Sequence, residues 1–315
     1  MNILQLNNFI TQNGGAETVM NTITQILKNN NHFVVNMGYE TPELPKIESA
    51  VSLGIAHHSL TSFFYNPSLL DFIRKYILSN NIDLIMCHNI YHKYPMAQLF
   101  QMFKQMNIPF LLVLHDPKIC CPWGGCRSIK GYCHECKNGN YFNAVKNKCR
   151  DNSYLKSLLL SFDSYYNVTI QDVYKYPNVI ISPSRFLREL AYEMGNKHKI
   201  EWIPNPININ LGNKRVHVYD NKHIRVLFAG RFTEEKGCFL LKRYAQQNPD
   251  ICFYWAGAGP MQDQMQMWAN DLPNVKYLGF LTKEQLTRQF EEVDYLIIPS
   301  IFYENNPMFV LEAMK

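Results

Sequence analysis

The chain has 315 residues, of which 47% are apolar and 18% are charged, and its formal net charge is +5. This composition excludes a disordered chain, and the length suits one large domain or two medium ones. The small positive charge is compatible with an anionic substrate or an acidic membrane surface and does not predict nucleic-acid binding. No run of 18 apolar residues and no signal-peptide pattern is present, so we expect a cytoplasmic protein.

Short apolar runs alternate with amphipathic segments of helix length in the first two thirds of the chain. The predicted buried strands are 3–6, 33–37, 84–87, 110–114 and 179–181. The predicted helices are 16–29, 68–80, 96–106 and 184–194. This alternation is typical of a doubly wound parallel sheet with helices on both faces.

A second series of the same kind begins near residue 224. Its predicted strands are 225–229, 252–255, 275–278 and 295–298. We therefore predict a Rossmann-like domain over 1–204, a linker over 205–223 that is rich in Pro and Asn, and a second Rossmann-like domain over 224–315. Residues 117–166 interrupt the first series, lack periodicity, and hold six of the nine cysteines. We interpret this segment as an insertion.

Two glycine-containing loops follow predicted strands. The sequence NGGAE (13–17) opens a helix after the first strand, and GAGP (257–260) follows the strand that ends at residue 255. Glycine lets a ligand approach the backbone, and a helix N-terminus offers unpaired N–H groups to an anion. Each loop is equally compatible with an ordinary tight turn.

The loop GRFTEEKG (230–237) places two cations at a strand end, which is the usual ligand edge of an open α/β sheet. Arg231 and Lys236 are five residues apart, so both can reach one diphosphate. Arginine would bind it through two N–H groups and lysine as a point charge. The alternative is a solvated loop with two ordinary surface cations.

The segment ENNPMFVLE (304–312) follows the last predicted strand. Glu304 would lie near the start of a helix and Glu312 about two turns further along on the same side. Carboxylates in a cleft accept hydrogen bonds from sugar or ribose hydroxyls. The alternative, two surface glutamates, fits their apolar surroundings less well.

Taken in this order, the motifs resemble the large retaining glycosyltransferase family with the GT-B fold, often called family 4 or group 1. Gly-Arg-x4-Lys-Gly combined with Glu-x7-Glu is the specific part of the match. Weaker similarities lie at residues 14–15, 115–116, 182–186, 203–206 and 299–300. The resemblance implies two Rossmann-like doubly wound domains with a cleft between them, the second incomplete here.

The resemblance also implies a role for each matched residue. Arg231 and Lys236 would bind the donor diphosphate, Glu312 the ribose hydroxyls, and Glu304 the transferred sugar. His115 would lie beside the donor sugar and the acceptor. The remaining implied donor contacts are Gly14 and Gly15, which would close over the diphosphate, and the backbone amides of Asn306 to Met308.

The implied reaction transfers a hexose from a nucleotide diphosphate sugar to an acceptor hydroxyl with retention of anomeric configuration and without a catalytic metal. The acceptor would be sugar-bearing or lipid-linked, in surface polysaccharide or glycolipid synthesis. Glu304 is not assigned as a covalent nucleophile. Two alternatives stay open: another GT-B enzyme such as a sugar-nucleotide epimerase, and a catalytically impaired, zinc-stapled binding or scaffold protein.

The cysteine-rich insertion contains one pair at metal-ligand spacing, Cys133 and Cys136. Because the segment is short of apolar residues, a metal would help it to fold. Matching by position to an insertion that a subset of the family seems to carry implies structural zinc on Cys121, Cys133, Cys136 and Cys149. Free thiols, a redox pair and an iron–sulfur cluster are the alternatives.

Two further expectations concern the end of the chain and its cellular site. The sequence stops at Lys315, inside the helix that carries Glu312, so we expect a truncated second domain and weak or no activity from the chain alone. Family members often work at the cytoplasmic membrane face. Aromatic and basic residues at 63–65 and 91–94 are candidates for peripheral contact at the inner face, although no strongly amphipathic helix stands out.

Overall fold

The computed structural model describes residues 1–11, 14–42, 44–55, 64–128, 131–207 and 224–314. It divides into two compact units, Met1–Asn208 and Ile209–Lys315. Most of the predicted linker, 208–223, lies outside the described residues. Each unit is an α/β layer structure with a parallel sheet, as the alternating pattern predicts.

The first unit contains a seven-stranded parallel sheet in the order β3-β2-β1-β4-β5-β8-β9. Its strands are β1 (Asn2–Phe9), β2 (Phe33–Glu40), β3 (Ala50–Ile55), β4 (Leu84–Cys87), β5 (Phe110–Val113), β8 (Val179–Ser182) and β9 (Ile200–Trp202). A separate antiparallel pair is formed by β6 (Arg127–Ser128) and β7 (Gly131–Tyr132). The sheet reverses its direction of winding between β1 and β4, so their carboxyl ends form a topological switch point, where such sheets bind ligands.

The four helices predicted for the first unit begin and end close to the predicted positions, and two further helices lie in the insertion. They are α1 (Gly15–Asn29), α2 (Pro67–Ser79), α3 (Met96–Gln105), α4 (Asn143–Lys146), α5 (Tyr154–Ser164) and α6 (Arg185–Glu193). Ser184 caps α6 as predicted, since its side chain accepts a hydrogen bond from the amide of Leu187 at 3.0 Å. Asn66 caps α2 in the same way.

The second unit contains a four-stranded parallel sheet in the order β12-β11-β10-β13. Its elements are β10 (Arg225–Ala229), α7 (Cys238–Gln247), β11 (Cys252–Ala256), α8 (Gln262–Asp271), β12 (Val275–Gly279), α9 (Lys283–Glu292), β13 (Tyr295–Leu296) and α10 (Met308–Ala313). The chain returns across β10 to form β13, so the switch point of this sheet lies between β10 and β13. An apolar cluster around Trp255 and Phe232 fills its core.

Six of the elements named above escaped the sequence prediction, and three of them, α4, β6 and β7, are short elements of the insertion. The strands β3 and β9 lie at the two edges of the first sheet, where β3 is half exposed and β9 has three residues, so neither shows a buried apolar run. The insertion, whose sequence shows no periodic pattern, contains the helix α5, which continues into a π-helical segment, Tyr165–Ile170. Four apolar side chains of α5 are exposed, those of Tyr154, Leu155, Leu158 and Phe162, so it lacks the usual pattern of a helix that packs on a sheet.

Candidate active site

Glycines allow the loops at the carboxyl end of the second sheet to pack closely against one another. Gly257 has φ +149°, and a Cβ atom there would lie 1.9 Å from the carbonyl oxygen of Gly230. Gly237 has φ +77°, and its Cβ would lie 2.1 Å from the carbonyl oxygen of Pro299. Because only glycine fits these contacts, the three loops that follow β10, β11 and β13 pack together at one edge.

The loop after β10 meets the loop after β13 through charged side chains. The ammonium Nζ of Lys236 lies 2.6 Å from Oε1 of Glu304, and the hydroxyl of Ser300 donates to the same oxygen at 2.6 Å. Lys236 also lies over the ring of Phe302, with Nζ 4.8 Å from its centroid. These side chains are partly exposed, so a ligand at the switch point can reach both charges.

The other predicted donor residues of this unit lie around the same edge. Arg231 is exposed, and its Cγ lies beside Gly259. Asn306 precedes α10, Met308 is the first residue of that helix, and Glu312 lies near its end. All three are half-buried. The structure thus brings Lys236 and Glu304 into contact, while the assigned roles of these residues stay predictions.

The predicted glycine loop of the first unit lies at the carboxyl end of β1. Gly14 precedes α1, and Gly15 is its first residue. A Cβ atom at Gly15 would meet no other atom within 4 Å, so the surface there is open. Below it, the buried carboxylate of Glu17 in the first turn of α1 accepts a hydrogen bond of 2.8 Å from Nδ2 of Asn7.

His115 follows β5 and contacts a second histidine at the end of the neighbouring strand. Nε2 of His115 lies 3.0 Å from Nδ1 of His88, which directly follows β4. Nε2 of His88 lies 2.9 Å from Oε1 of Gln5, a fully buried residue in β1. Burial lowers the pKa of His115 to about 4 and that of His88 well below its usual value, so both rings are neutral at pH 7.

A buried ion pair joins the loop after His115 to the insertion. Nζ of Lys118 lies 3.3 Å from Oδ2 of Asp163 in α5, and both side chains are at least 90% buried. Asn167 donates to the other carboxylate oxygen at 2.8 Å, and Lys118 also donates to the carbonyl of Pro122. This pair explains why the inward face of α5 is polar.

The structure does not support the predicted zinc site. Cys121 lies near Cys133, Cys136 and Cys149, close enough for their charges to interact. Within the described ranges, however, no three His, Cys, Asp or Glu side chains are placed to hold a metal ion. Cys121 is instead hydrogen-bonded to Cys126, which the prediction left out of the ligand set.

The expected surface role of residues 91–94 is also not supported. Tyr91 and Tyr94 are buried, and the hydroxyl of Tyr94 donates to the carbonyl of Asn7 at 2.8 Å. The ammonium of Lys93 lies over the ring of Phe9. Of the other suggested stretch, Phe63 lies outside the described residues, and Tyr65 is exposed.

Sequence reasoning missed the side chains that support His115. Gln5 and Asn36 are amides inside runs that we treated as apolar strands, and His88 directly follows a third such run. The available signal was a polar residue at the centre of a strand that must be buried on both faces. Asp163 gave a similar signal, as an acid within the apolar run LLLSFDSYY.

Two parallel α/β units, each with its ligand-type loops at a switch point, define the class as a GT-B glycosyltransferase. A family model described as Glycosyltransferase Family 4 matches residues 13–211, and one described as Glycosyl transferases group 1 matches residues 212–315. The chain belongs to Glycosyltransferase Family 4 and is a sugar-transferring enzyme by that membership.

Curated relatives agree with this assignment. An uncharacterized glycosyltransferase, MJ1607 of Methanocaldococcus jannaschii, is 24% identical over 96% of this chain and 74% of its own length. An alpha-galactosylglucosyldiacylglycerol synthase of Streptococcus pneumoniae is 28% identical over 43% of this chain and 40% of its own length. The second name describes the synthesis of a glycolipid by that protein.

Solved structures show the same fold. Anabaena Alr3699/HepE in complex with UDP and glucose matches with a TM-score of 0.62 and 15% identity, over 100% of this chain and 78% of its own. The apo form of the lipopolysaccharide outer core galactosyltransferase WaaB matches with a TM-score of 0.60 and 15% identity, over the same shares. Among the described residues, no helix has the length and apolar character needed to cross a membrane.

Proposed function

We propose that the protein transfers a hexose from a nucleotide diphosphate sugar to an acceptor hydroxyl with retention of anomeric configuration. The observation that supports this most directly is the contact between Lys236 and Glu304 at the switch point of the second sheet. It offers one cation and one carboxylate side by side, and the donor carries both an anionic diphosphate and a hydroxyl-rich sugar.

Each charge would act on a different part of the donor. Lys236 and the exposed guanidinium of Arg231 would neutralise the negative charge that develops on the leaving diphosphate, which lowers the barrier for its departure. Glu304 would accept a hydrogen bond from a sugar hydroxyl, and Glu312 from the ribose. Asn306 and Met308 would offer backbone amides to the donor. The bound UDP and glucose in the complex of Anabaena Alr3699/HepE are consistent with such a donor.

The first unit would supply the remaining contacts. Gly15 leaves open space at the start of α1, so a diphosphate could approach the backbone amides of Gly14 and Gly15 closely. His115 would contact the donor sugar and the acceptor. Because it is neutral at pH 7, it would act there through a hydrogen bond and not through a positive charge.

The acceptor would be a lipid-linked or sugar-bearing molecule of glycolipid or surface polysaccharide synthesis. The name of the pneumococcal relative supports the glycolipid class. The outward face of α5 also supports it, because Leu155 is 68% exposed and Phe162 56% exposed. Lys148 lies over the ring of Tyr154 at the start of this helix, and the neighbouring Lys156 is paired with Asp151 at 2.8 Å. An apolar face beside basic residues suits an anionic membrane surface.

The donor claim is tested by measuring the affinity for UDP-sugars and GDP-sugars by calorimetry. Removing the charge in Lys236→Met should weaken binding of the preferred donor by about 10- to 100-fold, since a hydrogen bond to a charged group contributes about 1.5–3 kcal/mol. NMR of the product formed with that donor then gives the anomeric configuration.

The matched control is Lys242→Met. Lys242 also lies 4.8 Å from an aromatic centroid, that of Trp268, but on α7 and away from the switch point. Its variant should bind the donor as the wild type does. Donor affinity of Lys236→Met within twofold of the wild type would contradict the proposed role, and an inverted product would contradict retention.

The membrane contact is tested by sedimentation with vesicles of phosphatidylglycerol and phosphatidylcholine. The double variant Leu155→Glu/Phe162→Glu should lose at least about tenfold in binding to anionic vesicles, because each buried apolar side chain contributes about 1.5–3 kcal/mol. Leu78→Glu on α2, where Leu78 is also exposed, is the control and should bind normally. Equal binding of all three proteins would contradict the assignment of this face.

A further inference from the structure

The side chains behind His115 form one continuous line of hydrogen bonds that runs through the first sheet. The line goes from His115 to His88 and then to Gln5, and Gln5 is joined to Asn36 on the next strand. Gln5, His88 and Asn36 are all fully buried. The strand order β2-β1-β4-β5 places these four residues on adjacent strands, so the line follows directly from the sheet topology.

Backbone carbonyls fix the orientation of both amides. Nε2 of Gln5 donates to the carbonyl of Met20 at 3.2 Å, and Nδ2 of Asn36 donates to the carbonyl of Glu48 at 2.6 Å. A carbonyl oxygen only accepts, so the nitrogen of each amide must face it. The oxygen of Asn36 then accepts from Gln5 at 2.9 Å, and Oε1 of Gln5 is left facing His88.

This orientation determines the position of one proton on each ring. Oε1 of Gln5 is an acceptor, so Nε2 of His88 must carry a hydrogen. A neutral imidazole carries only one, so Nδ1 of His88 is an acceptor. Nδ1 faces Nε2 of His115, which must therefore be the donor. The remaining nitrogen of His115, Nδ1, is left with a free electron pair.

We infer that His88 is a positioning residue that holds His115 in its Nε2–H tautomer, so that Nδ1 of His115 presents a hydrogen-bond acceptor to a substrate hydroxyl. This inference rests on the proposed function for the contact between His115 and substrate, but the tautomer itself does not. The same logic gives Gln5 the role of orienting His88. A histidine held by a buried partner keeps one tautomer and one ring orientation without further cost during the reaction.

The tautomer is measured directly by long-range ¹H–¹⁵N NMR of the full chain labelled with ¹⁵N-histidine at pH 7. His88 and His115 should both give the signals of neutral Nε2–H rings, assigned by their loss in His88→Gln and His115→Gln. His198→Asn is the control, because His198 pairs with Asp172 outside this line. A wild-type His115 in the Nδ1–H tautomer or as an imidazolium would overturn the inference.

Kinetics give a second readout that a purely structural role would not produce. His88→Phe keeps a ring of similar size but offers no nitrogen, so His115 should sample both tautomers. Because only the competent fraction reacts, kcat should fall by about two- to fivefold while KM changes little. His88→Asn offers an amide oxygen near the position of Nδ1 and should recover part of the loss. Wild-type kcat in His88→Phe would overturn the inference.

The two proposals fail in different ways. If the wild-type protein binds no nucleotide sugar and transfers none, the proposed function is wrong, whereas the NMR result on the free chain still decides the tautomer. If donor transfer is normal and the NMR shows the other tautomer, only the inference about His88 is wrong. Should His88→Phe fail to fold, the wild-type spectrum alone remains decisive.

Discussion

The two sheets are built by the same rule of parallel strands and crossover helices, yet their interiors differ. The first sheet places amides and a histidine at fully buried positions on three adjacent strands. In the second unit, the described core around Trp255 is apolar, and the charged pairs lie at the ends of the sheet. Arg225 and Asp294 pair at the amino end, and Lys236 and Glu304 at the carboxyl end.

The buried polar side chains of the first sheet are not needed for an α/β layer to fold. The second sheet shows that an apolar interior is sufficient for an α/β layer of this kind. Burying a polar group costs free energy unless it is hydrogen-bonded, so the first sheet must satisfy every donor and acceptor along its line. The arrangement is explained if the polar interior serves to hold His115, whereas the second unit would bind its proposed ligand with surface loops.

The largest effect is expected from breaking the buried ion pair of the first unit. Asp163→Ala leaves the ammonium of Lys118 buried without its carboxylate, and should lower the free energy of unfolding by about 3–5 kcal/mol. Urea denaturation followed by circular dichroism measures this. Glu48→Ala, which breaks the exposed pair with Lys28, should cost less than about 1 kcal/mol. Equal losses would show that burial of the charge is not the cause.

A somewhat smaller effect is expected from glycine at the second switch point. Gly257→Ala adds a Cβ atom against the carbonyl of Gly230 at a left-handed φ, so the second unit should lose at least about 1–3 kcal/mol. Thermal unfolding with hydrogen exchange assigns the loss to that unit.

Gly15→Ala should leave stability unchanged because the added methyl meets no atom, while donor affinity should fall if the diphosphate approaches there. Unchanged affinity would remove Gly15 from the donor site.

The smallest effect concerns pH. Burial lowers the pKa of His115 from 6.5 to about 4 and that of His92 to about 2, so the unfolded chain binds protons more readily than the folded one below pH 6.5. The stability of the first unit is therefore fully present above pH 6.5 and should decline as the pH falls toward 4. Residues 224–315 contain no histidine, so the amides of this range provide an internal control.

The measurement is hydrogen exchange of both units at pH 7.5, 6.5 and 5.5, corrected for the intrinsic rate. His92→Asn should reduce the pH dependence of the first unit, and asparagine suits the left-handed backbone at this position, where φ is +63°. A parallel decline in both units would assign the effect to carboxylates common to both and not to the buried histidines.

The sequence predicted the fold class and most strands because these depend on local patterns. Short apolar runs bounded by turns, and helices capped by residues such as Ser184, appear within windows of a few residues. The motifs place both Lys236 and Glu304 after predicted strands, so their meeting at one edge of the sheet follows from the predicted fold. The metal prediction is not supported, because four cysteines in one segment do not specify the directions of their side chains, and Cys121 is hydrogen-bonded to Cys126.

By itself, the sequence determined the two α/β units, the order of their elements and the loops that carry the candidate donor residues, because periodicity and turn chemistry are local properties of the chain. Only the tertiary structure decided which polar side chains meet. His88, Gln5 and Asn36 are separated by 27 residues or more from their partners in the line, and strand order alone brings them together. The orientation of His115 therefore depends on hydrogen bonds that no segment of the sequence contains.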